Sequence, residues 1–242
     1  MNIDNNNNIN FNNNIELAYL LCEKQYSHNE LINMLNNGSN IEKQIAALKL
    51  DSVYDIEEAQ ILLNNLTGTD GKIREAVALK INSILSVYPK SKDFFCKISP
   101  TVFADATIDI NGNICRLIID SASSLKFDSE FSTKYTSKLI EISKKALSEL
   151  DKFIFKDKKY VINKQIFKLY WSLEALKNFY LYADKNELSE LLTKCINQKD
   201  YTIREKTAQI IANSGKFEEL KRILINDKNY YVKKALNHHS IL

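Results

Sequence analysis

Glycine and proline are scarce. The chain of 242 residues holds five Gly and two Pro, where average usage would supply about seventeen and twelve. Sheets joined by tight turns consume both residues, and phosphate-cradling loops need Gly. A turn-rich β fold and a Gly-rich nucleotide loop are therefore disfavoured. No Gly-x-x-x-x-Gly-Lys, Gly-x-Gly-x-x-Gly or Gly-x-Ser-x-Gly motif occurs. Histidine, the commonest general base and zinc ligand, is limited to His28, His238 and His239. His28 reads as a helix start, and the adjacent His238 and His239 would point different ways on a helix, so no metal set is expected. Cys22, Cys96, Cys115 and Cys195 stand far apart with no Cys-x-x-Cys pair. Their apolar neighbours fit free, buried thiols in a reducing interior better than disulfides. No apolar run reaches the roughly 18 residues a membrane span needs, and no basic-then-apolar leader opens the chain. A soluble, cytoplasmic, mostly helical protein is expected.

What is present is ordinary globular material, with 45% hydrophobic and 26% charged residues. Nine Asn fill the first fourteen positions, too polar a tract to build a core, so residues 1–14 are expected to be a disordered leader before one helical domain over 15–242. The net charge of +3 is unevenly spread: residues 1–127 balance to −4 and residues 128–242 to +7. A basic half can steer nucleic acid or an acidic partner. Interleaved signs such as Glu141, Lys144, Lys145 and Glu149 describe a solvated helix face instead, and only four of the basic residues are Arg (Arg74, Arg116, Arg204 and Arg222).

A pattern returns along the chain. Asp200-Tyr-Thr-Ile203-Arg204-Glu-Lys-Thr207-Ala208 repeats Asp70-Gly-Lys-Ile73-Arg74-Glu-Ala-Val77-Ala78, and Asn229-Tyr-Tyr-Val232-Lys233-Lys-Ala235 is a compressed copy. Fainter echoes place further anchors at Ile41, Ile114 and Ile162. The spacings between anchors (32, 41, 48, 41 and 29 residues) lie near those of paired-helix repeats, about 33–47. Each position has a physical role. Asp or Asn caps the unpaired N–H groups of a helix start and meets the positive end of its dipole. Ile begins a buried stripe, and Ala within it allows close helix approach. The Arg could lie beside a cap carboxylate of the adjoining unit. An amphipathic run precedes each motif, at Asp55–Leu66, Asp184–Ile196 and Lys216–Leu224, so each unit reads as a helix pair that buries its stripe by stacking.

This Asp-x-x-Ile-Arg-x-x-(Val/Thr)-Ala helix behind an amphipathic helix resembles the HEAT repeat, armadillo-like and close to the phycobilisome-lyase type. The motif is complete within 55–87 and 184–213 and compressed within 216–241; no Asp in the stretches 128–150 and 161–183 is followed by an Ile-Arg pair. The resemblance implies an all-α, right-handed α-solenoid of about five to six helix pairs. Such modules are mostly scaffolds and adaptors, though fold does not fix function.

Chemistry-bearing residues are few. Asp105 and Asp109 would share a helix face, yet no His, Arg or nucleophile accompanies them, and a capping or loop role is expected. The densest feature is aromatic: Tyr160, Phe167, Tyr170, Trp171, Phe179, Tyr180 and Tyr182, interleaved with Lys159, Lys164, Lys168 and Lys177. It is either a wide core or a stacking platform beside cations. Lys164, Lys168, Tyr170, Trp171, Lys177 and Arg204 are accordingly the candidate partner-binding residues. The expected function is non-enzymatic: an adaptor holding another protein or a peptide segment along a helical surface, without cofactor, metal or membrane. The alternative is nucleic-acid binding through 128–242, with the helical-repeat alkylpurine DNA glycosylases in view. Those enzymes use Trp-flanked acidic and Arg sites, whereas this chain has one Trp and no Arg between 117 and 203. A chromophore-lyase partner rests on the repeat resemblance alone.

Overall fold

Acceptor side chains start the helices. In the computed structural model, which describes residues 15–152 and 159–237, Asp70 Oδ1 accepts the N–H groups of Lys72 and Ile73 at 2.8 and 3.2 Å. Asp200 Oδ1 accepts Thr202 N–H at 2.8 Å, and Asn229 Oδ1 accepts Tyr231 N–H at 2.8 Å. Ser27 and Ser39 cap with reciprocal bonds from Glu30 and Glu42, the capping box that satisfies two orphan donors at once. Each cap substitutes for a missing helical acceptor, which is why these short helices hold their first turns.

Every regular element among the described residues is helical. Contacts divide the chain into two compact units, Met1–Ile98 and Ser99–Leu242. The first holds α1 (residues 15–23), α2 (His28–Asn37), α3 (Asn40–Lys49), α4 (Ile56–Asn64), α5 (Gly71–Val87) and α6 (Ser91–Cys96). Helices α2 and α3 form one pair and α4 and α5 the next; α2 packs on α4, α3 on α5, and α6 adds to α4. The second unit holds α7 (Pro100–Thr107), α8 (Gly112–Ser124), α9 (Ser129–Lys152), α10 (Lys159–Phe179), α11 (Lys185–Cys195), α12 (Tyr201–Ser214), α13 (Glu218–Leu224) and α14 (Tyr230–Asn237). First helices α7, α9 and α11 pack in succession, as do second helices α8, α10, α12 and α14. Like helices stack on like. This is the arrangement of an armadillo/HEAT-like repeat, with six helix pairs among the described residues.

All six sequence anchors fall on second helices: Ile41 on α3, Ile73 on α5, Ile114 on α8, Ile162 on α10, Ile203 on α12 and Val232 on α14. Ile73, Ile114, Ile203 and Val232 are buried. Ile41 is half-buried, with the α3 stripe starting one turn later at Ile45, and Ile162 departs further. It is half-buried, and the buried stripe of α10 begins two turns later at Leu169, because this 21-residue helix extends past the part its neighbours cover.

The Arg of the motif does more than sit near a carboxylate. Arg74 Nη1 donates to the carbonyls of Gly68 and Thr69 at 2.8 and 3.1 Å. Arg204 Nη1 makes the matching pair to Gln198 and Lys199 at 2.8 and 2.9 Å. In both copies the residue after Ile ties down the carbonyls five and six positions earlier. Cys115 Sγ makes the six-back contact to Asp109 at 3.1 Å. Ser132 Oγ makes it to Lys126 at 3.3 Å, where Asp128 caps Phe131 N–H at 2.8 Å. Asp128-Ser-Glu-Phe131-Ser132 therefore repeats the cap, buried residue and six-back contact at the start of α9, a first helix. Arg204 also grips Asp227 through Nε at 2.6 Å and Nη2 at 3.1 Å. Asp227 lies in the loop between α13 and α14 of the next pair but does not cap α14; Asn229 does.

The core of the second unit centres on Tyr135, wholly buried. Its ring meets Phe131 and Phe179 at 5.8 and 4.9 Å between centroids, and its hydroxyl lies 2.6 Å from Thr107 Oγ1. Burial raises the tyrosine's pKa, and the Thr107 partner satisfies the polar atom that burial would otherwise strand. The expectation of four buried thiols holds for Cys115 and Cys195 but not for Cys22, which is exposed, or Cys96, half-buried; none of the four forms a disulfide. Cys22 lies on α1, most of whose side chains face water. Burial pushes the Cys115 and Cys195 thiols up to about 12, so they are protonated packing groups at neutral pH.

Candidate functional site

The first turns of α10 carry aromatic and lysine side chains beyond the buried stripe. Tyr160, Asn163, Lys164, Phe167 and Lys168 of α10, with Ile108 and Ile110 from the α7–α8 connection, line a groove of about 300 Å³. Ile110 is 79% exposed and Tyr160 74%, unusual for a branched aliphatic and an aromatic side chain in neighbouring positions. Lys164 and Lys168, one helical turn apart, share this face. Neither makes a hydrogen bond or ion pair with another described residue. Burial lowers the pKa of Lys168, and repulsion from Lys164 and Lys145 adds to it; Asp105 opposes them. Asp105 has its own carboxyl raised by burial, against the pull of Lys138. The result is an apolar trough beside a positive cluster with little carboxylate compensation.

The other candidates are placed differently. Trp171 is 8% exposed and packs edge-on to Tyr170 and Phe167 at 5.2 and 6.1 Å, with the Arg116 guanidinium 5.7 Å from its ring. Gly112 leaves it room: a Cβ there would stand 3.3 Å from Trp171 Cζ2. Tyr170 lies under the Lys206 ammonium at 5.0 Å. Lys177 Nζ is 2.5 Å from Glu174 Oε1. Lys206 Nζ is 2.6 Å from Glu174 Oε2, an ion pair without good hydrogen-bond alignment at that oxygen. Burial pushes the Glu174 carboxyl up, but the two lysines outweigh it and hold it below the usual carboxylate range. Tyr170, Trp171 and Lys177 thus belong to a packed, charge-balanced network. Arg204 is occupied by Asp227 and two carbonyls. Only Lys164 and Lys168 of the six reach the groove.

Ile108, Ile110 and Lys145 escape sequence reasoning because they come from other segments; the one local signal is Ile110, an aliphatic residue in the polar loop Asp109-Ile110-Asn111. A second exposed cluster also escapes it: Tyr201 and Tyr231 stack at 6.3 Å with Tyr230 edge-on at 5.6 Å. His28 follows its Ser27 cap as expected, and its Nε2 lies 2.9 Å from Glu58 Oε1 with its ring stacked on Tyr54. Asp109 Oδ1 accepts Asn111 N–H at 2.8 Å in the loop, as a loop role requires. No group of three metal-binding side chains occurs among the described residues, and no described helix is long and apolar enough to cross a membrane. His238, His239 and the Asn-rich segment 1–14 lie outside the described residues.

No family model matches the chain, and no curated protein matches it. Among solved structures, an engineered protein from the Northeast Structural Genomics Consortium aligns with 13% identity and a TM-score of 0.45, over 88% of this chain and 94% of its own. A designed armadillo repeat protein aligns with 14% identity and a TM-score of 0.43, over 87% and 97%. At that level of likeness, the repeat fold rests on this chain's own helix pairs.

Proposed function

We propose that the protein is a non-enzymatic interaction module that holds a segment of another protein on the second unit. The observation that carries this reading is the groove of Ile108, Ile110, Tyr160 and Phe167, apolar surface left in water where the rest of α10 is covered. Exposed apolar side chains gathered in a concavity mark a place where a partner completes the packing. Behind the groove, α10 is tied to α12 by Lys206, which reaches Glu174 and the Tyr170 ring, and to α8 by Trp171 packed against Arg116 and Gly112.

The test is capture from the source cell with wild type and Ile110→Asp. The same protein partner should be retained by wild type and lost from the variant, whose melting curve is expected to be unchanged because the side chain is exposed. Equal retention by both would remove the groove from the reading. Nucleic-acid binding is the second reading, favoured by the exposed Tyr201, Tyr230 and Tyr231 rings near Lys199 and Lys228, since aromatic rings beside cations can stack bases. Retention on DNA that collapses between low and moderate salt would favour it.

A further inference from the structure

We infer that the groove formed by the α7–α8 connection and the first turns of α10 takes an acidic peptide segment bearing aliphatic or aromatic side chains. The apolar side chains would enter beside Ile108, Ile110 and Phe167, and the carboxylates would meet Lys164, Lys168 and Lys145. This rests on the reading of the groove as a segment-binding site and specifies the segment's chemistry.

Three observations converge. The trough is lined by apolar groups, two of them largely in water, so a ligand with no hydrophobic side chain would leave the exposed aliphatic surface uncovered. Lys164 and Lys168 make no hydrogen bond or ion pair with another described residue, and Lys168 is already partly desolvated, with Lys164 and Lys145 acting against it and Asp105 for it. A ligand lying over Lys168 removes more water from it, which is unfavourable unless the ligand brings a negative group. A neutral segment brings none, and a basic one adds to the repulsion. Asp105, the acidic group acting on Lys168, stands against two lysines, Lys164 and Lys145. A phosphodiester backbone offers the charge but no aliphatic side chain. The groove also holds no arginine for bidentate phosphate contact.

The test is fluorescence anisotropy on the full chain with a short labelled peptide in which Leu and Phe alternate with Glu and Asp. Its companions replace the acids by Gln and Asn, or by Lys, and a labelled oligothymidine serves as the nucleic-acid probe. The acidic peptide should bind and weaken as salt rises. The amide version should be weaker by on the order of tenfold, the loss of two partly shielded ion pairs, and the Lys version should not bind. Lys164→Gln with Lys168→Gln should lower affinity for the acidic peptide alone, bringing it to the level of the amide version. Ile110→Asp or Tyr160→Ser should weaken both peptides.

Equal binding of acidic and amide peptides, both lost in Ile110→Asp, would overturn the charge preference and leave the groove as a peptide site. Binding of oligothymidine and no peptide, or of no probe at all, would overturn both. Circular dichroism melts of each variant separate lost binding from lost folding, and two independent apolar variants guard against one that does not fold.

Discussion

At the scale of single residues, the motif separates two jobs that look alike in sequence. Ile203 is completely buried, and Ile203→Asp should cost several kcal/mol, because an unpaired charge would lie within the α12 stripe. A thermal melt checks this; an unchanged midpoint would show that the stripe is misplaced. Arg204 is tied rather than available. Its side chain is 16% exposed and that of Asp227 8%, and Arg204→Met should cost about 2 kcal/mol through lost charge-assisted hydrogen bonds. The Arg204 guanidinium holds the Asp227 carboxyl below its ordinary value. The stabilisation is therefore complete above the ordinary Asp pKa, near about 3.9, and disappears as pH falls through the lower folded-state value. Urea midpoints should show Arg204→Met costing most near neutral pH and less in strong acid, where only its carbonyl bonds are still lost. A constant difference at every pH would contradict the ion pair. The Asp cap and the Ile were legible because both act within one helical turn. The destination of Arg204 was not, since Asp227 lies 23 residues on and only the stacked pair brings it close.

At the scale of elements, helix starts and the four deepest anchors were readable from local chemistry, whereas helix extents were not. The run 128–150 reads as a helix, but its motif-like start escaped because Phe131 and Ser132 differ chemically from Ile and Arg, although Phe131 is buried like Ile203 and Ser132 makes the same six-back contact. The α10 stripe slipped by two turns because Ile162 has helical periodicity but is only half-buried. Glycines at the joints give a sharper test of the connections. A Cβ on Gly38, between α2 and α3, would stand 2.5 Å from the Met34 carbonyl oxygen and 2.9 Å from Glu42 Cβ. Backbone cannot move aside cheaply, so Gly38→Ala should destabilise by about 1–3 kcal/mol. Gly68, between α4 and α5, meets nothing closer than 4.0 Å, and Gly68→Ala should be neutral or gain up to about 1 kcal/mol by restricting the unfolded chain. Chemical-denaturation midpoints of the two variants should move in opposite directions or differ clearly in size; equal shifts would mean that the α2–α3 joint is looser than its geometry.

At the scale of the whole molecule, repetition was the readable feature and the site was not. Scarce Gly and Pro, recurring caps and the spacing of Ile41, Ile73, Ile114, Ile203 and Val232 all point to stacked helix pairs, because each is a local signature of one unit. The groove is assembled from the α7–α8 connection and the first turns of α10, so no window of sequence contains it. The aromatic-rich stretch from Tyr160 to Tyr182 divides between the two roles it could have had. Phe179 and Trp171 are core, while Tyr160 and Phe167 face the groove. The most direct measurement of the central claim is a titration of isotope-labelled protein with the acidic Leu/Phe peptide, followed by amide chemical shifts. The account predicts saturable shifts confined to residues around 108–110 and 160–168. Shifts centred on Tyr201, Tyr230 and Tyr231, with 108–110 and 160–168 unmoved, would contradict it.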